Sequence, residues 1–383
     1  MMLKVAIVGC GKIADSHASQ IERIEGCEIV GVCDREPLMA KQISERFPIR
    51  RYFTDLGELL NEARPDVVHI TTPAGSHFDI ARTCLEQGSH VYVEKPFTVN
   101  AHEAMHLVEL AEEKRLKLTV GHQEQFSHVA TRMRALVQSG YLGGPAVHME
   151  SYYVYDLGDP SYARALLGDK QHWVRRLPGK LLQNVISHGI ARIAEFLTGD
   201  SPQVIAHGFV SPLLKSINET EIVDELRVII SENERTTAYF TFSSQMKPAL
   251  HQFRVYGPKN GLILDQDHET LIRLRGQKFK SYADKFVPPY LFAKQHLGNL
   301  KTNVKLFLGR DFHMDAGMKN LIESFYQSIR QDTPPPIPYR EILVTAKIMD
   351  AIFDQLNAGP SKDASGLHAH AVAPRIIAPV AKS

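Results

Sequence analysis

Cysteine is scarce in this chain and tryptophan nearly absent: the 383 residues include four cysteines and one tryptophan. Cys10, Cys27, Cys33 and Cys84 crowd into the first quarter and form no C-x-x-C pair. A disulfide framework needs more cysteines, more widely spread, so free thiols in a reducing, cytoplasmic setting are expected. An excess of one charge is also lacking. Lys and Arg total 44 against 43 for Asp and Glu, so no global field draws the chain to nucleic acid or to an anionic membrane, and neither is expected as a partner. No apolar run approaches the roughly 20 residues that cross a bilayer. Met1 to Val8 passes straight into a strand pattern, unlike a signal peptide.

What is present is a rhythm. Apolar runs at Lys4–Val8, Glu28–Cys33, Asp66–Thr71, His90–Val93 and Leu116–Val120 alternate with amphipathic stretches at Ile13–Ile24, Pro37–Phe47, Phe78–Gln87 and Ala101–Glu113. Strands apolar on both faces, separated by helices, predict an α/β domain built on a doubly wound parallel sheet. After residue 125 the rhythm changes. A helix at Thr131–Ser139 is followed by strand-like runs at Ala146–Tyr155, Gln203–Val210, Leu226–Ser231, Thr236–Ser243, His251–Tyr256 and Gly261–Asp265. Runs of strands of this kind predict an α+β domain with a mostly antiparallel sheet, closed by helices at Gly317–Arg330 and Tyr339–Leu356. The expected division is 1–124, 125–357 and a tail, 358–383, whose Ala, Pro, Ser, His and Lys show no periodicity and read as disordered.

Gly9-Cys10-Gly11-Lys12-Ile13-Ala14 falls where the first strand turns into the first helix. In this G-x-G-x-x-A pattern Gly9 permits the tight turn, Gly11 lets a pyrophosphate approach the backbone, and Ala14 lets the helix pack on the sheet. The free N–H groups at the helix start, around Lys12 and Ile13, then face the phosphates. Asp34 ends the second strand about 20 residues on, where an acid binds the adenosine ribose. Its charge repels a 2′-phosphate, which favours NAD. Arg35 beside it offers a phosphate partner, so NADP stays an alternative.

Three further motifs accumulate. Thr71-Thr72-Pro73 is followed by His77; Glu94-Lys95-Pro96 follows the next strand; and Lys180-Leu181-Leu182-Gln183-Asn184 leads to His188. With the glycine loop, this order resembles the Gfo/Idh/MocA oxidoreductases, the glucose–fructose oxidoreductase and inositol dehydrogenase family, up to about residue 357. The resemblance implies a Rossmann domain and a second domain on a large open sheet, one face of which forms a homodimer or homotetramer. It implies hydride transfer between NAD(P) and a sugar, polyol or nucleotide-sugar hydroxyl or carbonyl. On it, Gly9, Gly11, Lys12, Ile13, Asp34, Arg35, Thr71, Pro73, His77, Glu94 and Lys95 hold the cofactor. Lys95 and His188 are catalytic, and Gln123, Trp173 and Asn184 join them around the substrate. It also suggests a cis Lys95–Pro96 bond that aims the ammonium into the cleft.

The chemistry asks for such groups. Oxidising a carbinol removes the hydroxyl proton together with the hydride, and a lysine whose pKa is lowered by burial suits that transfer. Asn184 and His188 are four apart and share one helix face. Here the chain departs from the family, which carries aspartate at position 184. Asn cannot take a proton, so His188 is expected to lack a carboxylate's support, with acid–base duty resting on Lys95. Gln125 stands where the family has arginine, and Pro178-Gly179-Lys180 replaces a glycine triplet. These changes leave the redox class but unsettle the substrate. Two other classes share the same motifs: a glycoside hydrolase or lyase that recycles bound NAD, and a silent sensor of NAD or sugar.

Two signals are set aside. His102-Glu103-Ala104-Met105-His106 spells H-E-x-x-H, but it lies on the helix after Glu94-Lys95-Pro96 with no evident third ligand, so no metal is expected. Residues 279–310 mix aromatics with lysines. The Pro288-Pro289 break favours a loop and helix packed on the sheet or at a subunit contact over a membrane-lying helix.

Overall fold

In the computed structural model, which describes residues 2–358 except Gln277 and Met314, the short apolar runs are strands buried on both faces. The first unit runs β1 (Leu3–Val8), α1 (Lys12–Ile21), β2 (Cys27–Cys33), α2 (Pro37–Arg46), β3 (Tyr52–Phe53), α3 (Leu56–Ala63), β4 (Val67–Ile70), α4 (His77–Glu86), β5 (His90–Val93), α5 (Ala101–Glu113) and β6 (Leu118–Val120). Its six strands are parallel in the order β3-β2-β1-β4-β5-β6. The strand order reverses between β1 and β4, and there the carboxyl ends of the strands open a crevice.

The second unit runs α6 (His128–Gln138), β7 (His148–Val154), α7 (Pro160–Leu167), α8 (Lys180–Val185), α9 (Ser187–Phe196), β8 (Gln203–Phe209), α10 (Pro212–Ser216), β9 (Glu225–Glu232), β10 (Thr236–Ser243), β11 (Gln252–Tyr256), β12 (Asn260–Asp265), β13 (Thr270–Arg275), α11 (Ala283–Leu308), α12 (Ala316–Gln331) and α13 (Tyr339–Asn357). Its sheet has the order β13-β12-β11-β7-β10-β9-β8, antiparallel except where β7 meets β10. Residues of α6, α8, α9 and α13 pack on one face of it around Phe240, Phe242 and Phe253. The other face is open, with Ile205, Phe209, Ile229 and Tyr239 exposed on it.

Helix α12 does not join that second core. Its Leu321, Ile322, Phe325 and Tyr326 are fully buried in the first, among the residues of β1, β4 and β5. The sequence pattern gave the helix but not its destination. Strands β3 and β13 and helices α3 and α7 were not anticipated either. The tail beyond Ala358 lies outside the described residues.

The stretch 279–310 corrects the expectation of a break at the prolines. One 26-residue helix, α11, runs through Pro288 and Pro289. A proline in a helix removes its own N–H bond to the carbonyl four residues back. Those carbonyls belong to Asp284 and Lys285, which are exposed, so water can serve them. Farther along, two side-chain amides fix the helix on the edge strand. Gln295 accepts from the Arg273 N–H at 2.8 Å and donates to its carbonyl at 3.2 Å, while Asn299 does the same for Leu271 at 3.3 and 3.1 Å. They satisfy the unpaired backbone of β13 in place of another strand.

Candidate active site

The crevice is a cleft of about 1110 Å³ lined by Gly9, Gly11, Asp34, Arg35, Thr71, Pro73 and Trp173, among others. Gly9 is at φ +93°, and a Cβ there would come within 2.7 Å of the Thr72 nitrogen. Only glycine serves at such a left-handed, crowded point. A Cβ at Gly11 would meet no protein atom within 4 Å, so this bare backbone faces open space. The Asp34 carboxylate accepts from the Cys10 N–H at 2.7 Å and the Glu36 N–H at 2.9 Å, which fixes it at the cleft wall. Lys12 and Ile13 open α1 beside the loop. These features fit a dinucleotide: a bare loop and a helix N-terminus for the pyrophosphate, a carboxylate for the ribose. His77 stands behind that wall. Its buried ring lies between the Pro96 carbonyl at 2.9 Å and the Thr72 carbonyl at 2.8 Å; burial lowers its pKa, and the neutral ring donates its single N–H to one of the two.

The Lys95–Pro96 bond is cis. The Lys95 ammonium donates to the Asn184 carbonyl at 2.9 Å, so the first unit's lysine meets the α8–α9 segment of the second. Burial lowers the Lys95 pKa, while Glu94 and Glu124 raise it part of the way back. His188 opens α9 and is 5 % exposed. Its ring stacks on Tyr153 (centroids 6.1 Å apart, planes at 28°) and meets His122 edge-on at 5.9 Å. Its Nδ1 and the His122 Nε2 are buried without a partner, which marks a place for a ligand's hydroxyl groups. Burial pushes His188 down to about 4 and His122 to about 3, so both rings are neutral at physiological pH.

Glu124 changes the picture drawn from Asn184. It accepts from the Tyr153 hydroxyl at 2.9 Å and from Arg192, one turn beyond His188 on α9, at 2.8 Å. It thus touches two neighbours of His188. Burial pushes the Glu124 carboxyl up, but His188, Arg192 and the Tyr153 hydroxyl bring it down to about 2. The carboxylate missing at position 184 has a counterpart here, on a different element. Gln125 donates to Glu195 at 3.0 Å, and Arg134 brings a guanidinium to the same carboxylate at 2.6 Å. Gln123 Oε1 is buried without a partner near His122 in sequence, and Asn184 is half-buried.

Behind Lys95 lies a group of buried polar residues of which only Glu94 was expected, and that at the cofactor; it is instead buried and bonded inward, away from the cleft lining. Glu94 Oε1 is 3.0 Å from His17 Nε2, His17 Nδ1 is 2.8 Å from His69 Nδ1, and His69 Nε2 is 2.8 Å from the Tyr326 hydroxyl. A carboxylate only accepts, so the protons run one way: Tyr326 to His69, His69 to His17, His17 to Glu94. Burial, then His17, holds His69 well below its usual range, which keeps that ring neutral. The second oxygen of Glu94 accepts from the Lys95 N–H at 3.1 Å.

The H-E-x-x-H stretch on α5 is used for packing and capping. The Asn100 side chain accepts from the Glu103 N–H at 2.8 Å, Glu103 accepts from the Val99 N–H at 3.3 Å, and His106 packs on Phe78 at 5.5 Å. Among the described residues no group of three or more His, Cys, Asp or Glu side chains is placed to hold a metal ion.

Residues 3–122 match the family model described as Gfo/Idh/MocA, "Oxidoreductase family, NAD-binding Rossmann fold". Inositol 2-dehydrogenase of Salmonella typhimurium is 28% identical over 45% of this chain and 55% of its own length. UDP-N-acetylglucosamine 3-dehydrogenase of Acidithiobacillus ferrooxidans is 31% identical over 37% of this chain and 43% of its own. A glycosyl hydrolase family 109 protein of Akkermansia muciniphila is 27% identical over 55% and 47%. The matched stretch thus spans about half the length of these curated relatives. Likeness in structure extends further. A Bordetella pertussis dehydrogenase solved with NADH and UDP-GlcNAcA superposes with a TM-score of 0.74 at 17% identity, covering 94% of this chain and 96% of that one. A Klebsiella pneumoniae NAD-binding oxidoreductase gives 0.75 at 20% identity over 93% and 97%. At such identities the likeness is one of fold. Over residues 3–122 the chain is thus similar to the NAD-binding Rossmann domain of the Gfo/Idh/MocA oxidoreductase family.

Proposed function

We propose that this protein is an NAD-dependent oxidoreductase that moves a hydride between the nicotinamide and a CH–OH carbon of a sugar, polyol or nucleotide sugar. One observation carries the reading. Lys95, from the end of β5, donates across the two units to the Asn184 carbonyl just before α9, near enough to His188 for its charge to help lower that ring's pKa, and the buried ring nitrogens of His188 and His122 lack partners. Gly9, Gly11 and Asp34 would hold the dinucleotide, with Arg35, Thr71 and Pro73 along the same wall. NAD, when bound, accepts or returns the hydride. Lys95 in its amine form takes the substrate's hydroxyl proton in oxidation and returns it in reduction. His188, His122 and Gln123 position hydroxyl groups, and Asn184 holds Lys95 by its backbone. Glu124 supplies the negative charge near His188 and Lys95. The unpaired thiols fit a cytoplasmic setting, and the open face of the second sheet, with Ile229 and Tyr239, fits a homo-oligomer contact.

The test is purified protein with NAD and panels of sugars, polyols and nucleotide sugars, followed by NADH absorbance. Lys95→Met should lower turnover by about 10²–10⁴-fold, the usual worth of acid–base catalysis, with NAD affinity retained. The glycosyl hydrolase relative favours a second reading, in which NAD is reduced and reoxidised within each turnover. Glycoside cleavage without net NADH would establish it in place of the first.

A further inference from the structure

Helix α11 is 26 residues long, and among its residues only Asn299 is buried. Gln295 and Asn299 fix one side of it to β13. Phe286, Tyr290, Leu297, Leu300, Val304 and Phe307 fall at helical spacing on the opposite side, and they are 73%, 67%, 68%, 59%, 47% and 68% exposed. Isolated exposed apolar residues are ordinary, but a continuous stripe of aromatic and aliphatic side chains marks a contact surface. Lys294, Lys301 and Lys305 border the stripe along one margin.

The charge around the stripe is equally one-sided. Residues 270–310 hold nine Lys and Arg and one acid, Asp284, in a chain whose net charge is +1. Between α11 and β13 lies a cavity of about 480 Å³ lined by Arg132, Arg273, Arg275 and Lys294, with Phe279 and Phe292. Global balance thus conceals a local basic field, and it surrounds the apolar stripe.

We infer that α11 lies in the surface of an anionic phospholipid membrane, its stripe among the acyl chains and its lysines at the headgroup phosphates. An amphipathic helix of this kind sinks about 5–10 Å into the boundary and gains from apolar burial and anionic attraction together. The basic cavity beside it suits headgroup phosphates. No helix among the described residues is long and apolar enough to cross a membrane, so the attachment is peripheral. A second copy on the same stripe would bring two basic margins together, and like charges across an interface oppose association. The inference stands apart from the proposed reaction, since it uses no residue of the cleft.

The experiment is flotation of the full chain with vesicles of phosphatidylcholine, with and without phosphatidylglycerol. Binding should require the anionic lipid and weaken as salt is raised. Each lysine at such a surface contributes about fivefold in partitioning. Reversing Lys294, Lys301 and Lys305 to Glu should therefore lower it by roughly 100-fold or more. Phe286→Ser with Leu297→Ser and Phe307→Ser should abolish it. All six side chains are exposed, so the urea midpoint and NAD affinity should stay unchanged. Binding to neutral vesicles alone, or to none, would overturn the inference. Sedimentation of a larger species that the serine variant dissociates, without vesicle binding, would make the stripe a self-interface instead.

Discussion

Replacing His17 by leucine should cost about 1–3 kcal/mol of stability, the usual penalty for leaving a buried hydrogen-bonding group without its partner, with the upper end expected for a charged one. His17 has no exposed surface and bonds at both ring nitrogens, to Glu94 at 3.0 Å and to His69 at 2.8 Å. Leucine fills similar volume and offers neither bond. The larger part of the loss falls on Glu94. Burial pushes its pKa up, but the hydrogen bond from His17, with Lys95 and His188 nearby, brings it below the usual carboxylate range. A depressed carboxylate contributes stability that is present above its unfolded pKa and lost as pH falls through the folded value. Without His17, burial is the largest influence left and its direction is upward. The contribution then changes sign, and stability declines as pH rises through the raised value. Urea unfolding followed by circular dichroism at about pH 5 and about pH 8 reads both effects. Wild type should hold or gain stability between them, and His17→Leu should lose it. A loss below about 1 kcal/mol, equal at both pH values, would refute the idea that Glu94 depends on this chain of bonds.

Two further outcomes concern the cleft. Asp34→Ala should shift preference from NAD toward NADP in parallel titrations, since it removes the charge that repels a 2′-phosphate and leaves Arg35 in place; tighter NADP binding by wild type would contradict the role given to Asp34. Glu124→Gln should leave Arg192, whose side chain is 4% exposed, without its counter-charge, and should lower the pKa of His188 and Lys95, both of which Glu124 raises. The acid limb of the pH–rate profile should move to lower pH, and adding Asn184→Asp should move it back; a profile that overlays wild type would show that Glu124 is not felt at the reacting groups.

The parts legible in the sequence are those with a short-range physical signature. Alternating apolar runs gave the parallel sheet, because strands covered on both faces have little choice of residue. The glycine loop was legible because Gly9 occupies a conformation closed to other residues. Glu124 was not: it lies in Gly121-His122-Gln123-Glu124-Gln125-Phe126, where Gln125 drew attention, and its partners Tyr153 and Arg192 come from β7 and α9. His17, His69 and Tyr326 come from α1, β4 and α12, and a histidine in a helix carries no local mark of such a bond. The prolines of α11 misled because the rule against them assumes buried carbonyls, and these are exposed.

The return of α12 to the first core has a consequence for how the chain is made. Residues up to 122 leave the ribosome with the glycine loop and all six strands of the first sheet, yet one flank of that sheet awaits residues 316–331. Phe325 and Tyr326 each bury roughly 150–250 Å² there, which at about 25 cal/mol per Å² amounts to on the order of 10 kcal/mol together. That is as large as the whole stability of an ordinary domain. The nascent dinucleotide unit therefore stays unfinished, its apolar flank open to chaperones or to wrong partners, through synthesis of the second sheet and α11. It also follows that the unit cannot be cut out by sequence position: a fragment ending near residue 124 would lack the helix that seals it, and a lasting nucleotide-binding piece needs α12 joined back to it.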